Sequence, residues 1–234
     1  MAWSWHIFFT YLLDPTFARA ALVTLAIAAV AQAIGVAIGL VLALFSLSHL
    51  AVLRWLAAAY IWLWRGTPPL IQLVLLYFGL PQLGIRLGVL EAGLIGLGCY
   101  SASYIAEIIR AGVQSIDAGQ TAAARSIGFS RLGTLRWIIL PQAVRVILPP
   151  FGNEFASMMR STSLLSVISF EELLRVTTLA INDTFRPIEL YSVAACYYLL
   201  LYTSWTLIQQ RLEGAAAFGA VRRPQSLSII PDPA

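Results

Sequence analysis

Four stretches of this chain carry no charged side chain, and they constrain its fold more than any other feature. Residues 20–48 lie between Arg19 and His49, and residues 66–85 lie between Arg65 and Arg86. Residues 92–106 lie between Glu91 and Glu107, and residues 190–210 lie between Glu189 and Arg211. An α-helix needs about 20 apolar residues to cross a hydrocarbon core ~30 Å thick. A backbone in lipid must also satisfy its own polar groups, which favours helices for runs of this kind. The chain is therefore expected to be an all-α membrane protein. Composition agrees: 59% of the 234 residues are hydrophobic and 11% charged, against ~45–50% and ~25% in soluble domains. Mean hydropathy is +0.80. Such a length holds roughly four to six spans with their loops and leaves no room for a separate soluble enzyme domain.

The runs predict a first span near 21–45, a second over 66–85, a third over 92–106 with a few flanking positions, and a last over 190–210. The last contains Tyr191, Tyr197, Tyr198, Tyr202 and Trp205, some placed near its ends as interfacial anchors are. Residues 53–65 are helical in pattern up to the breaker Arg65-Gly66-Thr67-Pro68-Pro69. They either begin the second span, which is then long and kinked at Pro68, or lie at the interface. Residues 146–169 combine apolar runs with Pro149, Pro150 and Gly152. They read as a bent or partly unwound fourth span, a form tolerated only where protein or a water-filled cavity surrounds it.

About five transmembrane helices result, which puts the two chain ends on opposite sides. Arginine asymmetry sets the orientation, because cytoplasmic loops near spans are rich in basic residues. With the 107–145 loop inside, nine arginines lie inside: Arg54, Arg110, Arg125, Arg131, Arg136, Arg145, Arg211, Arg222 and Arg223. Four lie outside (Arg19, Arg86, Arg175 and Arg186), with Arg65 and Arg160 at membrane depth. The N-terminus is thus expected outside and the C-terminus inside. The first apolar run starts too late and runs too long for a cleaved signal peptide. Residues 1–212 form the membrane domain, and residues 213–234 are expected to be a disordered tail.

Several chemistries are excluded. All fifteen basic residues are arginine. A phosphate-binding loop of the G-x-x-x-x-G-K-[ST] type needs its lysine, so any nucleotide that drives this chain binds elsewhere. Cys99 and Cys196 lie in apolar runs and read as small buried hydrophobes. His6 and His49 are isolated, so no metal and no cofactor is expected. An intramembrane enzyme would need a nucleophile or metal cluster within the spans, and none is visible. A stand-alone secondary transporter would usually repeat its span pattern, and no repeat is seen. A non-transport scaffold is the remaining alternative.

Residues 107–150 are polar, arginine-bearing and punctuated by Gly and Pro. Asp117 suits an N-cap, and Gln120 three residues on suits a capping box. A helix over 118–127 comes next, rich in Ala118, Gly119, Ala122, Ala123 and Ala124, and Gly128 stops it. Ser130 can cap a second helix that ends before Pro141. A short Ala-faced helix can enter a groove on another protein, and Ala chosen for helix propensity explains the same pattern.

The spacing Ala123-Ala124, three residues, Gly128, nine residues, Ile138, then Leu140-Pro141 resembles the signature loop of ATP-binding cassette importer permeases. The flanks are similar to the polar amino-acid group of that family. They include Arg65-Gly66-Thr67-Pro68 with Gln72, Tyr104-Ile105-Ala106-Glu107, Gln114-Ser115-Ile116 with Gly119-Gln120, Leu140-Pro141-Gln142-Ala143, Pro149-Pro150 with Gly152-Asn153-Glu154, and Ser161-Thr162-Ser163-Leu164. The resemblance covers roughly residues 20–212. It implies the permease subunit of an importer for polar amino acids in the cytoplasmic (inner) membrane, without enzymatic activity of its own. It implies as partners ATP-binding cassette ATPase subunits that hydrolyse ATP, an extracytoplasmic amino-acid-binding protein, and a second permease, identical or homologous, within the lipid bilayer. Nucleic acid has no part in it. It implies a coupling loop over about 111–145, with Gly119, Ala122, Ala123, Ala124, Arg125 and Gly128 docking on an ATPase. Two positions depart from the pattern. Ala122 stands where the family usually has Glu, so docking must rest on shape or on Arg125 and Arg131. Arg160-Ser161 stands where many relatives have Lys-Asp.

Asn153, Glu154 and Arg160 are the candidates for the substrate pathway. A charge at the bilayer centre costs at least ~2.5–3.5 kcal/mol, so such residues usually face a cavity or one another. Asn153 and Arg160 share a helical face; Glu154 and Arg160 do not on a straight helix. Together they offer an acceptor for an ammonium and a donor for a carboxylate. A structural ion pair or a charge reaching the interface is the alternative. Arg65 reads as an interfacial charge at a kink, and Glu107 with Arg110 as a helix-surface pair.

Overall fold

The structure is a computed structural model, and it describes residues 3–218. Every regular element among them is helical. A short helix α1 (Trp5–Leu12) leads into α2 (Pro15–Ser46), and α3 (Ala51–Gly66) returns. Helix α4 (Pro69–Val74) continues α3 beyond a break and ends in a π turn (Leu75–Gly79) and a 3-10 turn (Leu80–Leu83). Next come α5 (Val89–Gln114), α6 (Ala118–Ser126), α7 (Arg131–Thr134), a π turn (Leu135–Ile139) and α8 (Leu140–Ser161). A 3-10 stretch (Thr162–Ile168), α9 (Leu173–Thr184) and α10 (Pro187–Phe218) complete the chain. Helices α2 and α5 are each long and apolar enough to cross a membrane.

The bundle is built on α2 and α5, which share its most extensive contact. Small residues bring the two backbones together, as they do between membrane helices. A Cβ on Gly35 would lie 2.9 Å from Ser101, and one on Gly39 2.8 Å from Ile105. These contacts advance together along both helices, so α2 and α5 run parallel. Helix α8 runs back along α5: Leu165 meets Gly93 near one end and Ile147 meets Gly112 near the other. Helix α10 runs back again beside α8. The C-terminal ends of α2 and α5 therefore share one end of the bundle with α6, and α9 lies at the other. The main core joins Ile27, Ala28 and Ala31 of α2, Leu73 of α4, Leu97 of α5 and Phe155, Met158 and Met159 of α8.

Residues 51–83 form two consecutive helices broken at Thr67-Pro68. Gln72 spans the break: its Nε2 donates to the carbonyls of Trp64 (2.9 Å) and Thr67 (3.1 Å) and to Thr67 Oγ1 (2.6 Å). The Trp64 carbonyl lacks its helical partner because Pro68 carries no N–H, and the Thr67 carbonyl lacks one because Ile71 N donates to the Pro68 carbonyl at 3.0 Å. Arg65, at the end of α3 just before the break, is exposed, and its guanidinium lies 4.7 Å from the centre of the Tyr104 ring.

Three expectations need correction. The 146–169 stretch is irregular in part, but not at Pro149-Pro150; α8 is continuous through both, and the irregular stretch begins only after Ser161. Two adjacent prolines remove two adjacent helical bonds, while α10 grips the helix around them. Gln209 Nε2 donates to the Pro149 carbonyl at 3.2 Å, and Trp205 Nε1 to the Gly152 carbonyl at 2.8 Å. Nor does a helix end before Pro141. The π turn at Leu135–Ile139 inserts an extra residue just ahead of the proline, and helix runs on through it. Cys196 is exposed rather than buried, and Cys99 is half-buried. Helix α10 continues to Phe218, into the stretch read from sequence as a tail. The rest of that tail, 219–234, lies outside the described residues.

Candidate functional site

The first candidate is α6. Asp117 is its N-cap, and the carboxylate accepts from Gly119 N at 2.8 Å. The capping box does not close, because Gln120 Oε1 instead accepts from Gln142 Nε2 at 3.4 Å, tying α6 to α8. Gly128 turns the chain with φ +90°, a conformation that strains any residue bearing a Cβ. Ser130 then caps α7 through Gly133 N at 3.0 Å. Of the small residues, Ala124 is buried at 3% exposure, on the side that leans toward the π turn. Gly119, Ala122, Ala123, Arg125 and Gly128 are exposed. One edge of α6 is thus held by its own chain, and the other is a smooth surface of small side chains flanked by exposed Ile127, Arg131 and Leu132.

The second candidate is the polar part of α8, which divides in two. Asn153 and Arg160 face α10. Asn153 lines a cavity of ≈ 260 Å³ with Tyr202, Gln209 and Glu213. Arg160 lines one of ≈ 660 Å³ with Ser163, Tyr198 and Tyr202, its guanidinium 5.7 Å from the Tyr202 ring centre. Tyr202 borders both, so the two cavities form one groove along α8 and α10. The part toward α9 is apolar and cationic, and the part toward Pro149 carries amides and a carboxylate. Glu154 is not brought to Arg160; it turns to α5, where Ser101 is its polar neighbour. Helical spacing explains the separation, since six residues place two side chains well apart around a helix.

The Glu154 side holds residues that sequence reasoning did not single out. Ser101 donates to Gln32 Oε1 of α2 at 3.1 Å. Gln32 is 5% exposed, and its Nε2 has no hydrogen-bond partner among the described residues. Tyr100 and Tyr104 hydroxyls lie 3.0 Å apart, and Arg65 stacks on Tyr104. The field of Arg65 reaches both Glu154 and Glu107. A carboxylate, a guanidinium, two phenols and an unsatisfied amide donor are therefore gathered where α2, α3, α5 and α8 meet. Buried polar groups left partly unsatisfied are costly, and a polar ligand that completes them recovers that cost. The available sequence signal was Gln32 itself, an amide amid an uncharged apolar run. Glu107 and Arg110 pair as expected, with Arg110 Nε donating to Glu107 Oε2 at 2.9 Å.

Known proteins resemble this arrangement. An amino acid ABC transporter solved with histidines shares 36% identity, covers 92% of this chain and all of its own, and superposes with a TM-score of 0.86. The inward-facing methionine transporter MetNI has the same fold at 20% identity and a TM-score of 0.73. The Bacillus subtilis probable amino-acid ABC transporter permease YckA is 40% identical over 81% of this chain and 84% of its own. The Corynebacterium glutamicum arginine transport permease ArgU is 36% identical over 94% of this chain and 74% of its own. Residues 35–216 match the binding-protein-dependent transport system inner membrane component family. With its fold, its α6 loop and this match taken together, the chain belongs to that family of ABC transporter permeases.

Proposed function

We propose that this chain is the permease subunit of an ATP-driven importer for polar amino acids, crossing the cytoplasmic membrane about five times. The observation that carries the reading is the likeness to the amino acid transporter at 36% identity across 92% of the chain. In this reading α2, α3 with α4, α5, α8 and α10 are the spans, the N-terminus is outside and the C-terminus inside. The exposed edge of α6, with Gly119, Ala122, Ala123 and Arg125, docks on an ATPase subunit, Ala124 holds the helix to its own chain, and Gly128 sets its exit. The loop over about 111–145 couples ATP-driven closure of the ATPase pair to the spans. A second permease, identical or homologous, completes the pathway, and an extracytoplasmic binding protein delivers substrate. The pathway uses Asn153 and Arg160 in the α8–α10 groove and Glu154 on the α5 side. A carboxylate and a guanidinium that do not neutralise each other suit the ammonium and carboxylate of one amino acid.

The test is uptake in proteoliposomes containing the permease, its ATPase and its binding protein. Uptake of labelled arginine, histidine or glutamine should require both ATP on the ATPase side and binding protein on the other. Uptake by the permease alone without ATP would identify a secondary transporter and end this reading.

A further inference from the structure

At the α6 end of the bundle, α2, α3 and α5 enclose an open cavity of ≈ 380 Å³ that nothing in the transport reading uses. Its polar lining is Arg54, Glu107, Arg110 and Ser46, and its remaining wall is Ala58, Ile61 and Trp62. Two guanidinium groups face one carboxylate, so the cavity holds a net positive charge. Both guanidinium groups are already fixed in place. Arg54 Nη1 donates to the carbonyls of Ser48 (3.1 Å) and His49 (2.9 Å), which leaves the N–H groups of Nε and Nη2 outside those bonds. Arg110 is held by Glu107 on one side and by Gln114 Oε1 at 2.6 Å on the other, and keeps one N–H on each terminal nitrogen. Helix α3 also begins here without a side-chain cap, so its positive end adds to the field.

The surroundings select the anion. Trp62 is 76% exposed, and Val52, Trp55 and Leu63 of α3 are exposed as well. A cavity with fixed guanidinium donors at its head and an aromatic, aliphatic wall beside it is shaped for an amphiphile. A small soluble anion would leave that wall in water. Arginine binds phosphate oxygens through paired N–H groups, indole rings favour the headgroup level, and basic pockets between membrane helices on the cytoplasmic side hold anionic headgroups.

We propose that this cavity binds the phosphodiester headgroup of one anionic phospholipid, with Arg54 and Arg110 on the phosphate and Trp62 against the glycerol and upper acyl chain. The proposal rests on the membrane-permease reading and on the α6 end facing the cytoplasm. The test uses the full transporter complex in nanodiscs of phosphatidylcholine alone and of phosphatidylcholine mixed with phosphatidylglycerol. Native mass spectrometry reads the phosphatidylglycerol retained, and thermal melting reads the stabilisation. The wild type should retain phosphatidylglycerol and melt higher in the mixed discs. Arg54→Gln with Arg110→Gln should weaken retention by about tenfold or more, since each lost charge-assisted bond is of that order. Glu107→Gln, which removes the competing carboxylate, should raise retention, and it serves as the test if the double variant does not assemble. Unchanged retention in either variant overturns the site. Inorganic phosphate that reproduces the stabilisation in phosphatidylcholine discs overturns the lipid assignment in favour of a soluble anion. Loss of the ATPase from the double variant with phosphatidylglycerol still retained overturns it in favour of a protein contact. If the wild type transports in no lipid while retention depends on the arginines, the transport reading fails and the lipid site stands.

Discussion

Single side chains in this protein matter mostly by which neighbour they turn to. Arg160 stacks on Tyr202, and no carboxylate pairs with it among the described residues. Glu154 lies instead on the α5 side, beside Ser101. Removing the Arg160 charge therefore leaves no buried carboxylate behind. We predict that Arg160→Gln leaves complex yield intact and thermal stability within ~0.5 kcal/mol of wild type, the usual range for a substitution that breaks no buried network. Substrate-stimulated ATP hydrolysis should fall about tenfold, as expected for loss of one charge-assisted bond to a substrate carboxylate. Normal stimulation in the surviving complex would remove Arg160 from the pathway. Glu154→Gln separates substrates: transport of arginine should drop more than transport of glutamine, because the carboxylate is the only anion in that cluster able to balance a second positive charge. Equal loss for both substrates would count against a binding role for Glu154.

At the scale of elements, two interfaces differ in kind. The α2–α5 contact sets the Gly39 backbone of α2 directly against Ile105 and the Ala102 carbonyl of α5, with no slack for a side chain. Gly39→Leu is expected to destabilise the bundle by ~1–3 kcal/mol, the ordinary cost of overpacking, seen as a lower melting temperature in detergent. A variant that melts like wild type would mean that the two helices can separate at no cost. The outer edge of α6 is the opposite case, an exposed surface whose own chain does not need it. Ala123→Glu should therefore leave folding and membrane insertion unchanged while uncoupling ATP hydrolysis from uptake in proteoliposomes. Uptake at the wild-type rate in that variant would rule out the docking role.

For the whole molecule the open question is direction. The helices reverse in turn, and the arginines gather at the α6 end, where Arg54, Arg110, Arg125, Arg131 and Arg136 lie. Basic loops stay on the cytoplasmic side during insertion. In a background with Cys99 and Cys196 replaced by Ala, single cysteines at Ser4 and at Ser126 are expected to label oppositely with an impermeant maleimide on intact cells. Ser4 should react from outside, and Ser126 only after the membrane is opened. Labelling of Ser126 from outside would invert the topology.

Much of this was legible in the amino-acid order, because the signals involved are local. Charge-free runs require helices wherever they fall, Asp117 and Ser130 cap the helices that begin just after them, and Gly128 must turn. The α6 helix and the Glu107–Arg110 pair are set by spacings of a few residues. Proline was misread for the opposite reason. A Pro149-Pro150 pair and Pro141 predict breaks from local rules, but helix runs on through all three, with a π turn ahead of Pro141 and Trp205 and Gln209, over fifty residues away, bonded to carbonyls beside the pair. The polar centre was hidden in the same way. Gln32, Ser101 and Glu154 come from three helices, and no local spacing shows that they meet. Sequence by itself determined that the chain is helical, oily and equipped with a capped Ala-rich loop. Spacing already put Glu154 and Arg160 on different faces of their helix; only the packing of α2, α5, α8 and α10 decided that one face meets α5 and the other α10, since that depends on how each helix is rotated against the others.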